Sequence, residues 1–202
     1  MLLKNMLESK MKLEKNDWPS ILKAIDAKMH NVDYGWLDVD GKKHTSMDEY
    51  ALKYRLQGPE SLLASRLGVC WDQVELERKI AMEEPNVAVR ALLLVYHGDE
   101  NYPSHTVILL GVQGKVYYYE HAWGTHRGVW VFDNYSEAMQ FVVSEWLHEM
   151  DEKQKWDIDQ LAVYEYAAVP NGLTPDEFYK HCESGKRLDI KRIIQKIEAK
   201  NC

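Results

Sequence analysis

Hydrophobic and polar positions follow two different periods along this chain, helical in the first third and extended through the middle. Leu2, Leu3, Met6, Leu7, Met11 and Leu13 stand among charges and predict an amphipathic helix over residues 2–15. Asn16-Asp17-Trp18-Pro19 is a start signal for a second helix through Met29, since proline is tolerated in a first turn. Val32 to Asp38 reads as extended and ends in the turn Val39-Asp40-Gly41-Lys42. Ser46, with Glu49 three residues on, has the pattern of a capping box and predicts a helix to about Leu56. Pro59 opens a short helix through Leu67, with Gly68 as its left-handed stop. A further helix starts at about Val69, turning Val74, Leu76 and Ile80 inward and leaving Glu75, Glu77, Arg78 and Lys79 for solvent.

After Glu84-Pro85 the pattern becomes extended. Val87 to Tyr96 predicts a buried strand, a polar loop follows from Gly98 to Pro103, and Ser104 to Leu110 is the next strand. Gln113-Gly114 makes a tight turn, Lys115 to Glu120 returns as the partner, and Gly128 to Phe132 adds a short strand. Asp133 or Ser136 caps a helix through about Met150, Leu161 to Ala168 is a late strand, and Thr174-Pro175-Asp176-Glu177 starts another helix before a terminal one over 189–200. Helices followed by a strand meander predict an α+β fold with a mostly antiparallel sheet. No repeat or Pro/Ser-rich linker divides the chain. One domain is expected over residues 1–202, with a helical N-terminal portion (1–55), a core that carries the chemistry (56–168) and a C-terminal helical segment (169–202).

Composition narrows the classes. The 202 residues are 46% hydrophobic, with seven Trp and twelve Tyr, which is enough for a substantial packed core. A net charge of −7 without a basic cluster argues against a nucleic-acid partner. The three cysteines Cys70, Cys182 and Cys202 form neither a disulfide framework nor a paired zinc spacing. The N-terminal residues meet charge too early for a signal-peptide core, and no stretch approaches a membrane span, so a reducing cytoplasm is the expected compartment and no membrane partner is expected. A free thiol would survive there.

The hairpin permits a geometric deduction. With Gln113 and Gly114 as the loop, Val112 pairs with Lys115 and Glu120 falls opposite Val107, which shares a face with His105. His105 and Glu120 are then diagonal neighbours, Ala122 leaves room beside the ring, and His121 points to the other face. Cys70 at a helix start profits from free N–H groups and the positive end of the dipole. A helix-borne thiol, an imidazole and a carboxylate are the parts of a triad: His105 takes the thiol proton, and Glu120 orients the ring and stabilises its charge. The Cys70 backbone N–H and the Gln57 side-chain amide are the candidate oxyanion donors, and Trp71 and Trp123 the candidate walls of the cleft.

Gly68-Val69-Cys70-Trp71-Asp72, Ser104-His105-Thr106 and Tyr119-Glu120-His121-Ala122-Trp123 together resemble the transglutaminase-like branch of the papain-like thiol enzymes, over roughly residues 55–133 and in the same Cys, His, acid order. Where the family usually has Asp, this chain has Glu120. The resemblance implies a papain-like arrangement with the cysteine helix packed on the sheet. It also implies acyl transfer through a thioester on the cysteine, resolved by water or by an amine, with Cys70, His105 and Glu120 catalytic and no cofactor. A peptide, protein or small amide is the expected substrate, and hydrolysis is placed ahead of amine transfer.

Three other readings compete. His121 with Asp133 forms a rival His and acid pair, set behind His105 and Glu120 because the latter hairpin is better formed. His97, His105, His121 and His126 are close in sequence, but their spacings match no helical zinc motif, so no metal is expected. A non-catalytic interaction module on the same fold is the third. Cys182 and Cys202 read as ordinary thiols, and Asp72 and Gln73 as helix-start residues.

Overall fold

The computed structural model describes residues 12–98, 103–151 and 157–192. Most of the helices expected over 2–15 and 189–200 lies outside the described residues, as does Cys202. In chain order the elements are α1 (Ser20–Met29), β1 (Asp33–Tyr34), β2 (Trp36–Leu37), β3 (Lys43–His44), α2 (Tyr50–Lys53), α3 (Pro59–Ser65), β4 (Leu67–Gly68) and α4 (Cys70–Met82). There follow β5 (Val87–Tyr96), β6 (Ser104–Val112), β7 (Lys115–Glu120), β8 (Gly128–Phe132), α5 (Tyr135–Asp151), β9 (Leu161–Tyr166), α6 (Pro175–Glu183) and β10 (Lys186–Arg187). Six strands form one sheet in the order β10-β9-β5-β6-β7-β8, with every neighbouring pair antiparallel. The architecture is α+β.

Helices cover both faces of that sheet, which explains why β5 is apolar at every position from Ala91 to Tyr96. Ala91, Leu93 and Val95 pack in one layer with α1 and α4. Leu92, Leu94 and Tyr96 pack in the other with α5. The β6/β7 register follows from the loop: Gln113 (φ 50) and Gly114 (φ 78) are both left-handed, so two residues close the hairpin, and the pairing runs from Val112↔Lys115 to Ile108↔Tyr119. Among the described residues no helix is long and apolar enough to cross a membrane.

Four local expectations are corrected. Ser46 caps nothing: its carbonyl accepts the Trp36 indole N–H at 2.7 Å and its hydroxyl donates to Asp48, while Glu49 is left-handed (φ 58), so α2 is one turn long. Arg66 (φ 56), not Gly68, ends α3. Gly68 lies in β4, where an added Cβ would stand 2.5 Å from Leu62 Cδ1 and 3.0 Å from Asp72 Cβ, so close packing is what requires glycine there. The α5 cap is Asn134, whose Oδ1 accepts the Glu137 N–H at 3.1 Å, rather than Asp133 or Ser136.

The largest correction concerns α4. Glu75, Glu77 and Arg78 are buried, because the helix runs between the sheet on one side and α1 and α3 on the other. Arg78 and Glu75 pair at 3.1 Å, Arg78 Nη1 donates to Tyr166 O at 3.2 Å, and Glu75 Oε2 accepts the Val169 N–H at 3.2 Å. Internal partners replace the solvent that the charge pattern pointed to.

Candidate active site

Cys70 owes its position to the strand that precedes it. β4 runs parallel to β1, with Tyr34 opposite Gly68, and the chain passes through extended Val69 directly into α4. Asp72 fastens the junction: Oδ2 accepts the Val69 N–H at 2.9 Å, and Oδ1 accepts the Tyr54 hydroxyl at 2.6 Å and the Gln57 N–H at 2.8 Å. Burial pushes the Asp72 carboxyl up to about 7 against these three donors. Gln73 Nε2 donates to Gly68 O at 2.8 Å. Asp72 and Gln73 are therefore the helix-start residues expected. Cys70 begins α4 with its side chain buried and its backbone N–H beyond any intrahelical acceptor.

The imidazole and the carboxylate meet across the hairpin. His105 Nε2 stands 2.8 Å from Glu120 Oε2, the diagonal contact deduced from the register. Glu120 is held in turn by the Tyr118 hydroxyl, which donates to Oε2 at 2.6 Å, and by the Trp123 N–H, which donates to Oε1 at 2.8 Å. Cys70 acts on the same ring electrostatically, favouring its charged form. With Nε2 committed to Glu120, Nδ1 is the nitrogen left for the sulfur. Burial disfavours charge on His105, but Glu120 and Cys70 outweigh it and raise the ring to about 10. Burial likewise pushes Glu120 up, and His105, Tyr118 and Trp123 reverse this, leaving it below the ordinary carboxylate range.

The helix does not dock on the face that carries His105. Alternation places His105 with Val107 and Leu109, which pack in the α5 layer, whereas α4 packs with Ile108 and Leu110 on the opposite face. Cys70 is the first residue of α4, and His105 the second of β6. Thiol and ring accordingly meet at the end of the sheet.

No family model matches the chain, and no curated protein matches it. The other expected residues divide. Trp123 meets the His105 ring edge-on, centroids 5.5 Å apart, and lines a cleft of about 220 Å³ with Tyr34, Ser104, His105, Ala122, Gly124 and Trp146. Trp71 is not a cleft wall: it stacks on Phe178 at 4.0 Å within the core. Gln57 directs its amide away from the thiol chemistry, with Nε2 donating to Leu67 O at 2.7 Å and Oε1 accepting the Ser65 hydroxyl at 2.9 Å, so it ties α3 to β4.

The rival pair is not assembled. His121 bonds Val32 O through Nε2 at 2.9 Å, on the side of Tyr119, while Asp133 pairs with Lys115 at the surface. The other histidines are also scattered: His126 pairs with Glu145 at 2.6 Å, and His97 lies 4.0 Å from Glu183. Among the described residues no three His, Cys, Asp or Glu side chains gather as they would around a metal ion.

Three contributors carry no legible signal in the sequence. Tyr34 comes to the cleft through the β1/β4 pairing, Trp146 through α5, and Tyr179 through α6, with its hydroxyl 2.8 Å from Ser104 Oγ beside the ring. All three approaches are made between segments far apart in the chain.

Proposed function

We propose that this chain is a thiol-dependent acyl-transfer enzyme of the transglutaminase-like, papain-like kind, opening an amide or peptide bond through a thioester on Cys70 and passing the acyl group to water. The observation that carries the reading is the buried His105–Glu120 pair, its carboxylate held by two further donors, with Cys70 acting on the charge of the same ring. An imidazole kept cationic well above neutral pH, beside a sulfur at a helix N-terminus, is the environment of a nucleophilic thiol.

In the reaction, sulfur attacks the acyl carbon and the carbonyl electron pair moves onto oxygen. As that oxygen re-forms its double bond the carbon–nitrogen bond breaks, and the departing nitrogen takes the proton from His105 Nδ1. A water then gives a proton to the same nitrogen and attacks the thioester. The carbon–sulfur bond breaks, and the acid leaves. Glu120 keeps the ring turned so that one nitrogen serves both transfers. The cleft offers indole, phenol and methyl surface beside the His105 ring, which suits an uncharged acyl side chain.

The test is intact-mass and product analysis of the purified chain incubated with a mixed peptide library, with and without dansylcadaverine as amine acceptor. New carboxyl termini, an acyl adduct on Cys70 and loss of both in Cys70→Ala are expected. Incorporation of the amine in place of hydrolysis would move the assignment to a transglutaminase. Turnover that survives in Cys70→Ala, or no adduct and no product, would remove the enzyme reading.

A further inference from the structure

We propose that the Tyr34 hydroxyl is the side-chain oxyanion donor of this site, acting with the Cys70 backbone N–H on the oxygen of the tetrahedral intermediate. The inference rests on the acyl-transfer reading above and adds to it a catalytic residue outside the triad. Two preorganised donors aimed at the developing charge are the usual requirement for acyl transfer, and the helix start supplies one. Gln57, the side-chain donor expected from the sequence, is engaged with Leu67 and Ser65.

Several tyrosines gather near the start of α4, and the structure separates them by what they pack against and bond. Tyr54 donates to Asp72, and Tyr179 shares its hydroxyl with Ser104. Tyr50 is stacked on Tyr54 and edge-on to Trp36 and Trp71, in the core aromatic group. Tyr34 combines three features. It lines the cleft together with His105 and Trp123. It retains 45% of its surface, so solvent and substrate reach it. Among the described residues no group accepts its hydroxyl proton.

Its placement is built rather than incidental. Tyr34 pairs with Gly68, two residues before the nucleophile, and β1 is anchored at both ends by Asp33 N–H to Arg66 O (3.0 Å) and Gly35 N–H to Gly68 O (3.4 Å). Cys70 raises the Tyr34 hydroxyl above the ordinary phenol range, which is already far above neutral pH, so it remains a donor throughout the working range. The donor gives a hydrogen bond and no proton. When the carbon–nitrogen bond breaks, the oxygen returns to a carbonyl and Tyr34 is unchanged.

The test uses 4-nitrophenyl acetate and iodoacetamide on the full chain, comparing wild type, Tyr34→Phe and Cys70→Ala. Acylation by the ester passes through an oxyanion, while alkylation by iodoacetamide at saturated carbon does not. The expected result is a Cys70-dependent burst of 4-nitrophenolate that slows on the order of 10²- to 10³-fold in Tyr34→Phe, with the alkylation rate of Cys70 unchanged. Equal burst rates in wild type and Tyr34→Phe would overturn the Tyr34 assignment and leave the enzyme reading standing. Parallel loss of burst and alkylation would overturn it in favour of a packing role. No Cys70-dependent burst in wild type would remove both.

Discussion

Glu120 Oε2 lies 2.8 Å from His105 Nε2, and the two side chains are buried together at the end of the sheet. The ring is raised to about 10 in the folded chain, against an unfolded value of about 6.5. A raised folded value means that the pair's contribution to stability is complete below about pH 6.5 and is lost as pH climbs through about 10. The carboxylate, depressed when folded, contributes above about pH 4.3 and loses that contribution as pH falls through its folded value. Urea midpoints of wild type, read against His105→Ala from pH 5 to 10, should show an advantage that shrinks above neutrality. A constant difference would contradict the pairing.

Glu120→Gln should be the more damaging partner change. A carboxamide cannot accept from both the Trp123 N–H and the His105 and Tyr118 side as the carboxylate does, and the ring loses its counter-charge. Breaking such a buried pair costs about 3–5 kcal/mol, measurable by urea unfolding at pH 7. Cys70 alkylation should slow as well, because the positive neighbour of the sulfur is lost. Wild-type stability and labelling in this variant would show that Glu120 does not support the ring.

The cysteines within the described residues should react unequally. Cys182 is fully buried, and burial and then Glu75 push its thiol well above the ordinary range. Cys70 faces an imidazolium. Peptide mapping after brief iodoacetamide treatment at pH 6 should find the label on Cys70 before Cys182. Equal labelling would mark Cys70 as an ordinary buried thiol.

Asp72→Asn probes the helix junction. The asparagine oxygen can still receive the Tyr54 hydroxyl and the Gln57 N–H, but its NH₂ then faces the Val69 N–H, and two donors meet in a buried space. The expected loss is about 1–3 kcal/mol by urea unfolding, since a buried donor is left unsatisfied. Cys70, two residues before it, should lose part of its selectivity for iodoacetamide.

Glu77 gives a prediction of opposite sign. It is buried on α4, and burial and then the nearby Glu120 hold its carboxyl well above the usual range. A raised acid contributes most below its unfolded value, about 4.3, and the contribution is lost as pH rises. Glu77→Gln should therefore gain stability over wild type as pH increases from 5 to 8, and match it near pH 4. A variant less stable than wild type at pH 8 would show that the charged form is held by a partner.

The parts of this fold governed by neighbouring residues were legible in the sequence. Thr174-Pro175-Asp176-Glu177 starts a helix as expected, with Thr174 and Glu177 capping each other, and the two-residue Gln113-Gly114 loop determines which residues of β6 and β7 face each other. That register was enough to bring His105 to Glu120 and turn His121 away. The charges of α4 were misleading because a helical period shows which residues share a face, not how many faces are covered. Gly68 was misread as a helix stop because a glycine required for close packing and one required for a left-handed turn look identical in sequence. Trp71 and Gln57 were misassigned for a related reason: an aromatic or amide next to a nucleophile carries no sign of whether it points to core or cleft.

What the sequence by itself determined was the five long strands β5 to β9, the hairpin register and the start of the cysteine helix, all fixed by contacts over a few residues, where turn and capping chemistry act. Tertiary structure alone decided that α4 packs on the face opposite His105, and that Tyr34, paired with Gly68, shares a cleft with His105. Those meetings depend on how two helical layers close over a six-stranded sheet. The closure is driven by burial summed over the whole core, and burial has no direction that any short stretch of sequence can encode.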